Sequence, residues 1–255
     1  MTKNVAFVAV AGIPLIKPRD PLASILIDAL KAANLPLKFG DVLVVAQKIV
    51  SKAENRYVSL SNVEPSRRAH DYAKVTGKDP RLVEVVLSES TGVIRAAPNV
   101  LIVAHRLGFV VANAGIDQSN IEQMDNTERV LLLPENPDAA AASLKAALDA
   151  AFGVACGVII NDSFGRPWRN GVTGVALGAA GIPSLFDMVG SPDLFGRKLQ
   201  MTEIAVADEI AAGASLLMGQ AAEGLPAVLV RGLSLTAPER SAAALVRDPA
   251  KDLFR

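Results

Sequence analysis

The densest run of reactive side chains is Asn161-Asp162-Ser163-Phe164-Gly165-Arg166-Pro167-Trp168-Arg169-Asn170-Gly171. The apolar stretch Val158-Ile159-Ile160 leads into it and reads as a buried strand. A carboxylate and a hydroxyl side by side at a strand end can hold a divalent cation through oxygen ligands. The residues after them read as a loop with two glycines, two arginines and the only tryptophan of the chain. Arg166 and Arg169 can neutralise phosphate or carboxylate oxygens in bidentate fashion. Metal and guanidinium groups together suit phosphoryl transfer, in which charge on moving oxygens must be opposed. A plain strand-to-turn passage, capped by Asp162 and with solvated arginines, would use the same residues.

Three other segments carry comparable chemistry. Asn113-Ala114-Gly115-Ile116-Asp117-Gln118-Ser119-Asn120 follows an apolar strand and is dense in oxygen-bearing side chains. Asp117 can supply a second metal carboxylate and Asn120 can touch phosphate or metal, although Asn, Gly and Asp also make ordinary turns. Two carboxylates at two strand ends are what a magnesium or manganese site needs. In Gln47-Lys48-Ile49-Val50-Ser51-Lys52 the two lysines stand four apart, so a helix puts them on one face as point charges for phosphate. Gly12-Ile13-Pro14-Leu15 is a strand exit where backbone N–H groups can approach a ligand. Met218-Gly219-Gln220 ends a helix and offers the Gln220 carbonyl to a cation, though a C-cap accounts for the same residues. His70 and His105 lack metal-ligand spacing, and His70 reads as a surface residue. Cys156, the single cysteine, reads as a small core residue. No Ser/His/Asp or Cys/His set is visible.

The elements that must position these groups alternate between helix and strand. Strands are expected at Val5–Val10, Val42–Ala46, Val100–Ala104, Phe109–Ala112, Val130–Leu133, Val158–Ile160, Val172–Leu177, Leu199–Ile204 and Ala227–Val230. Helices are expected from Pro21, from Pro65 to a stop at Gly77, from Pro80, from Pro137 to Gly153, and over Val206–Met218. A bend is expected over Gly178–Gly181, and the tail from Ser234 reads as peripheral. Because several strands are joined by short turns, the fold class is α+β (mixed α/β) with mixed and antiparallel sheets. Neither GxGxxG nor a Walker A motif occurs, so the fold is neither Rossmann nor P-loop. The 255 residues read as a single domain with a subdomain around 50–100.

Composition narrows the partners. Lys+Arg and Asp+Glu number 26 each, so bulk electrostatics point to no nucleic-acid partner and no membrane. No apolar run reaches membrane-spanning length. Met1-Thr2-Lys3-Asn4-Val5 shows no signal h-region, and one cysteine fits a reducing compartment, so the expected localisation is cytoplasmic.

Taken in order, these segments resemble the coenzyme F420-0:L-glutamate ligase (F420:γ-glutamyl ligase) family, in its stand-alone form. The resemblance rests on Gly12-Ile13-Pro14, Ala46 to Glu54, Thr76-Gly77-Lys78-Asp79-Pro80-Arg81, Gly108-Phe109 through Asn120, Leu131-Leu132-Leu133-Pro134, Asp162 to Gly171, Asp193-Leu194-Phe195-Gly196-Arg197, and Val206-Ala207-Asp208-Glu209. It implies a GTP-dependent ligase that adds L-glutamate to the phospholactyl carboxylate of coenzyme F420-0, and then γ-linked glutamate, through an acyl phosphate. It implies two divalent cations, Mg2+ or Mn2+, with K+ as a further cation. Metal positions fall on Asp117 and Asp162 for one ion, and on Ser163 and Gln220 for the other. GTP contacts fall on Gly12, Ile13, Pro14, Leu15, Gln47, Lys48, Lys52 and Asn120, and on Met218, Gly219, Gln220, Ala221, Ala222, Glu223, Gly224 and Leu225. The catalytic set is then Asp162 with Arg166 and Arg169, the arginines being assigned to the anionic acceptor. The implied assembly is a homodimer of intertwined subdomains.

The chain departs from the family pattern at Ser163 and Asn161, where threonine is common, and at Leu107, where histidine often precedes the Gly-Phe pair. None of these removes a metal ligand. Two competing readings are a related nucleotide-dependent ligase on another carboxylate and a non-catalytic nucleotide- or cofactor-binding paralogue. Loss of Asp117 or Asp162 would favour the latter, and both are present.

Overall fold

The computed structural model describes residues 4–122 and 128–252, so the reading of Met1 to Lys3 lies outside the described residues. In chain order the elements are β1 (Ala6–Ala9), α1 (Leu22–Ala32), β2 (Val42–Ala46), α2 (Gln47–Ala53), β3 (Tyr57–Ser59), α3 (Arg67–Thr76) and α4 (Pro80–Ser88). There follow β4 (Ser90–Ala97), β5 (Val100–His105), β6 (Val110–Ala112), β7 (Arg129–Leu131), α5 (Pro137–Phe152), β8 (Gly157–Arg166) and β9 (Arg169–Ala180). The chain ends with β10 (Phe186–Asp187), β11 (Glu203–Ile204), α6 (Val206–Met218) and β12 (Ala227–Arg231).

The central sheet runs β1-β12-β2-β8-β9. Only β2 and β8 pair in parallel; the other neighbours are antiparallel, which makes the sheet mixed. β2, β8 and β12 read as continuous apolar runs because both faces are covered. One face packs against α1, α2 and α5 around Leu26, Leu30, Leu43, Ile160 and Leu229. The other packs against α6 around Val44, Ile159, Ile210 and Val228. A second set of elements packs separately: α3 and α4 cover β4-β5-β6 around Val83, Val86, Leu101 and Val103, and Leu60, Leu82 and Val130 join the β3-β7 pair to it. The fold class is α+β.

Local signals set most helix ends. Asn136 caps α5 by accepting from the Ala139 amide, Pro137 takes the first turn, and Gly153 closes the helix in the left-handed region. Gly77 does the same for α3, whose cap is Ser66, so that helix begins two residues beyond Pro65.

Four expectations need correction. The residues after Asp162 are no loop: β8 continues to Arg166 and returns as β9, leaving only Pro167-Trp168 as the turn. Trp168 takes φ +56 there. The expected bend at Gly178–Gly181 is still strand as far as Ala180. Its glycine serves packing, since a Cβ on Gly178 would overlap the Pro137 carbonyl and a Cβ on Gly174 would overlap Ala211 and Ser215. Of Leu199–Ile204, only Glu203–Ile204 pairs, with Phe186–Asp187. The tail is partly core, because Ala242 is buried and Leu235 and Leu245 pack on the α6 side.

Candidate active site

Strand register gathers the candidate residues at one end of the central sheet. Ala9 pairs Val228, Ala227 pairs Val45, and Ala46 pairs Asn161, so these residues form a row across β1, β12, β2 and β8. Each strand meets a candidate segment at that row. Gly12–Leu15 follows β1, Met218–Leu225 precedes β12, α2 follows β2 directly, and Asp162 and Ser163 continue β8. The Ala46 amide donates to the Pro226 carbonyl at 2.8 Å, tying two of these segments together.

α2 presents Lys48 and Lys52 on one face, as their spacing of four requires, and buries Gln47 on the adjacent one. The buried Gln47 donates through Nε2 to Asp117 Oδ2 at 2.6 Å, while its Oε1 accepts from Ser51 at 2.9 Å. Lys48 Nζ lies 3.0 Å from Asp117 Oδ1 and donates to the Ser119 carbonyl at 3.2 Å. Lys52 donates to the Asn120 carbonyl at 2.8 Å. Burial first, and then the charge of Lys48, lower the Lys52 ammonium pKa. Asp117 is held by backbone as well, exchanging two 2.9 Å hydrogen bonds with Leu131. Asn120 sits at φ +55 and donates through Nδ2 to the Ala221 carbonyl at 2.8 Å. Ser163 donates to Gln220 Oε1 at 2.9 Å.

Asp162 and Ser163 are consecutive in an extended strand and so point to opposite faces. Ser163 meets Gln220 after α6, and Asn161, on the same face, donates to Ser215 of α6 at 3.0 Å. On the other face, the Asp162 carboxyl is pushed up to about 7, by burial first and by the charge of Asp117 second, with the Ser163 amide and then Lys48 opposing. Phe164 shares that face and meets Phe109, just before β6, ring centroids 5.3 Å apart. Arg166 and Arg169 pair at the far end of the hairpin, both exposed, about 13 Å along β8 from Asp162 at roughly 3.3 Å per residue. The structure does not bring them to Asp162 within one chain. Leu15 is 88% exposed at the sheet end, and Gly12 takes φ +80.

The donors suit hard cations. Asp117, Asp162, Ser163 and Gln220 offer oxygen ligands, and the Asp162 carboxyl, raised by burial and by the charge of Asp117, gains from an added positive charge. Among the described residues no three His, Cys, Asp or Glu side chains cluster as a metal cage. An ion here would complete its shell with water or phosphate oxygens, as Mg2+ commonly does. The residues present fit that group.

Sequence reasoning missed Asn161, whose side chain is buried against Ser215 and Met218, and Ser51, which orients Gln47. Ser51 was findable, since it stands four residues after Gln47 on a helix. Cys156 is buried with its thiol pushed up to about 12, chiefly by burial, and is inert core. His70 is exposed, and His105 is buried away from the row.

The α+β fold gathers lysines and oxygen donors at one sheet end, a set of side chains suited to phosphorylated anions and hard cations. The model of the F420-0:Gamma-glutamyl ligase family matches residues 12–232. A protein of Methanothermobacter thermautotrophicus named Coenzyme F420:L-glutamate ligase is 46% identical over 229 residues, 90% of this chain and 89% of that protein. Similarly named proteins of Methanopyrus kandleri and Archaeoglobus fulgidus are 45% identical over 247 residues and 42% identical over 246. They cover 94% and 96% of this chain and are themselves covered to 93% and 94%. The chain belongs to the F420-0:gamma-glutamyl ligase family and is a ligase. No described helix is long and apolar enough to cross a membrane.

Proposed function

We propose that this protein is a GTP-dependent ligase that joins L-glutamate to the phospholactyl carboxylate of coenzyme F420-0 and then extends it with γ-linked glutamate. Family membership and the names of its relatives support the substrates. One observation carries the chemistry: Lys48, Lys52, Asp117, Asn120, Ser163 and Gln220 come from four chain segments and join through direct contacts at one sheet end, where Asp162 lies beside Ser163 within the field of Asp117 and Lys48.

A carboxylate does not react with an amine without activation. The acceptor carboxylate attacks the γ-phosphorus of GTP, forming an acyl phosphate and releasing GDP. The glutamate amine then attacks the acyl carbon, phosphate leaves and the amine proton is lost, giving the amide. Lys48 and Lys52 hold phosphate oxygens as point charges. Asp117 and Asp162 would hold one divalent ion and Ser163 with Gln220 the other, Mg2+ or Mn2+, with K+ as a further cation. Such ions offset charge on the phosphates during transfer. Gly12 to Leu15 and Met218 to Leu225 border the nucleotide. Arg166 and Arg169 are assigned to the anionic tail of the acceptor. The protein works as a homodimer in the cytoplasm.

The test is incubation with GTP, Mn2+, L-glutamate and coenzyme F420-0, with products read by mass and nucleotides by phosphorus NMR. Glutamylated product with GDP and phosphate is expected. Pyrophosphate as the main nucleotide product would overturn the mechanism.

A further inference from the structure

The segment between α6 and β12 supplies a donor side chain and yet is exposed from Gln220 to Gly224. An exposed loop without regular hydrogen bonding needs some other constraint to present Gln220 at a fixed place. We infer that Glu223 is the positioning residue of this loop, folding it so that Gln220 faces Ser163 and the Ala221 carbonyl faces Asn120. This deepens the ligase reading and rests on it for the role of Gln220.

The geometry is local and specific. The Glu223 carboxylate turns back into its own loop and accepts the Ala221 amide at 2.8 Å. The same residue is gripped through its other backbone group, where the Ala221 carbonyl accepts from Asn120 at 2.8 Å. One residue earlier, Gln220 accepts from Ser163. A carboxylate bonded to backbone N–H is among the stronger hydrogen bonds, and the amides of Ala221, Glu223 and Gln220 hold the Glu223 carboxyl below its ordinary range.

Gly219 makes the arrangement possible. It ends α6 at φ 71 and ψ −171, a region that is essentially glycine-only. A Cβ there would overlap the Glu223 carboxylate. Glu223 therefore acts on the site through the loop: its oxygens are spent on backbone, while Gln220 and Ala221 reach Ser163 and Asn120.

The experiment compares the full-length protein with E223A, G219A and the double variant. G219A keeps the carboxylate and evicts it from its place. Half-saturating Mn2+, KM for GTP and KM for glutamate are measured, with hydrogen exchange at Ala221 and the thermal midpoint. E223A and G219A should each raise the Mn2+ and GTP values about tenfold, as loss of an outer-shell partner does. In both, KM for glutamate should stay within about twofold and Ala221 should exchange faster; the midpoint should move little in E223A and fall in G219A, whose alanine strains a glycine-only backbone. In its Mn2+ and GTP values the double variant should be no worse than G219A, which already displaces the carboxylate that E223A removes. Unchanged Mn2+ and GTP values, an equal loss for glutamate, or additive effects would overturn the inference. So would global unfolding of E223A, which would make Glu223 a structural cap. A wild-type protein that binds neither Mn2+ nor GTP would bring down the ligase reading alone. The loop is then decided by Ala221 exchange, faster in E223A if Glu223 positions it and unchanged if not.

Discussion

Asp208 accepts the backbone amide of Ala176 at 2.8 Å, from the first turn of α6 to the middle of β9. The contact falls where the hairpin changes register. Ile160 pairs Gly178, but Asn161 pairs Ala176, so Leu177 is an extra residue in β9. Such a bulge leaves a strand amide without its ladder partner. Asp208 supplies the missing acceptor at the point from which Asn161, Asp162 and Ser163 take their directions.

Asp208→Ala should therefore destabilise the protein by about 1–2 kcal/mol, the cost of leaving a partly buried amide unsatisfied. Asp208→Asn keeps an acceptor oxygen and avoids burying a charge, and burial already raises the Asp208 carboxyl pKa. It should stay within about 1 kcal/mol of wild type. Urea unfolding measures both; equal losses would show that the Ala176 contact does not matter.

His105 should make stability depend on pH. Its ring is buried and stacked on Phe109 at 4.9 Å; Nδ1 accepts from the Leu107 amide, and Nε2 stands 3.7 Å from Glu89. Burial lowers its pKa to about 4; Glu89 opposes this, while Arg106 and Arg56 add to it. The folded pKa thus lies below the unfolded value of about 6.5. Between the two, the unfolded chain takes up a proton that the folded chain does not. The stabilisation is full above pH 6.5 and is lost as pH falls toward 4, by about 3 kcal/mol in total. His105→Leu should lack this component, so its stability difference from wild type should change between pH 7 and pH 4.5. A constant difference across that range would count against the buried neutral ring.

Asp162→Ala should abolish ligation and weaken metal-dependent GTP binding while the protein stays folded, since several kcal/mol of transition-state stabilisation depend on such a carboxylate. Replacing Lys48 and Lys52 together with alanine should raise KM for GTP more than KM for glutamate. Steady-state kinetics checks both, and near-normal turnover of Asp162→Ala would refute the metal assignment.

The homodimer is open to light scattering at micromolar concentration, where a mass near 26.6 kDa unchanged by GTP would count against it. The hairpin tip offers a second probe. Trp168, the only tryptophan, is 81% exposed in the single chain, and Val172 is 54% exposed. Burial of that tip in a dimer should shift tryptophan emission to the blue as concentration rises.

Much of the fold is written in local signals. The Pro80, Pro137 and Val206 helices and the apolar strands at 42–46 and 227–231 follow from periodicity, caps and glycine stops. The family, too, is legible, because motifs such as Asp162 to Gly171 keep their order and residue types along the chain. The long β8–β9 hairpin is not. Residues 161–171 are polar and glycine-rich and read as loop by propensity, and only pairing across the hairpin makes them strand.

By itself, the sequence determined which chemistry is on offer: two aspartates, a serine, two glutamines, lysines and arginines in four separated segments, together with the caps that start and stop their helices. The tertiary structure decided which of these meet. Register across β1, β12, β2 and β8 brings Lys48, Ser163 and Gln220 to one sheet end, the Leu131 bridge and α2 hold Asp117 there, and the β8–β9 hairpin carries Arg166 and Arg169 away from it. Side-chain type is local information, whereas register depends on how distant strands bury their faces against α1, α2, α5 and α6, and no single segment contains that.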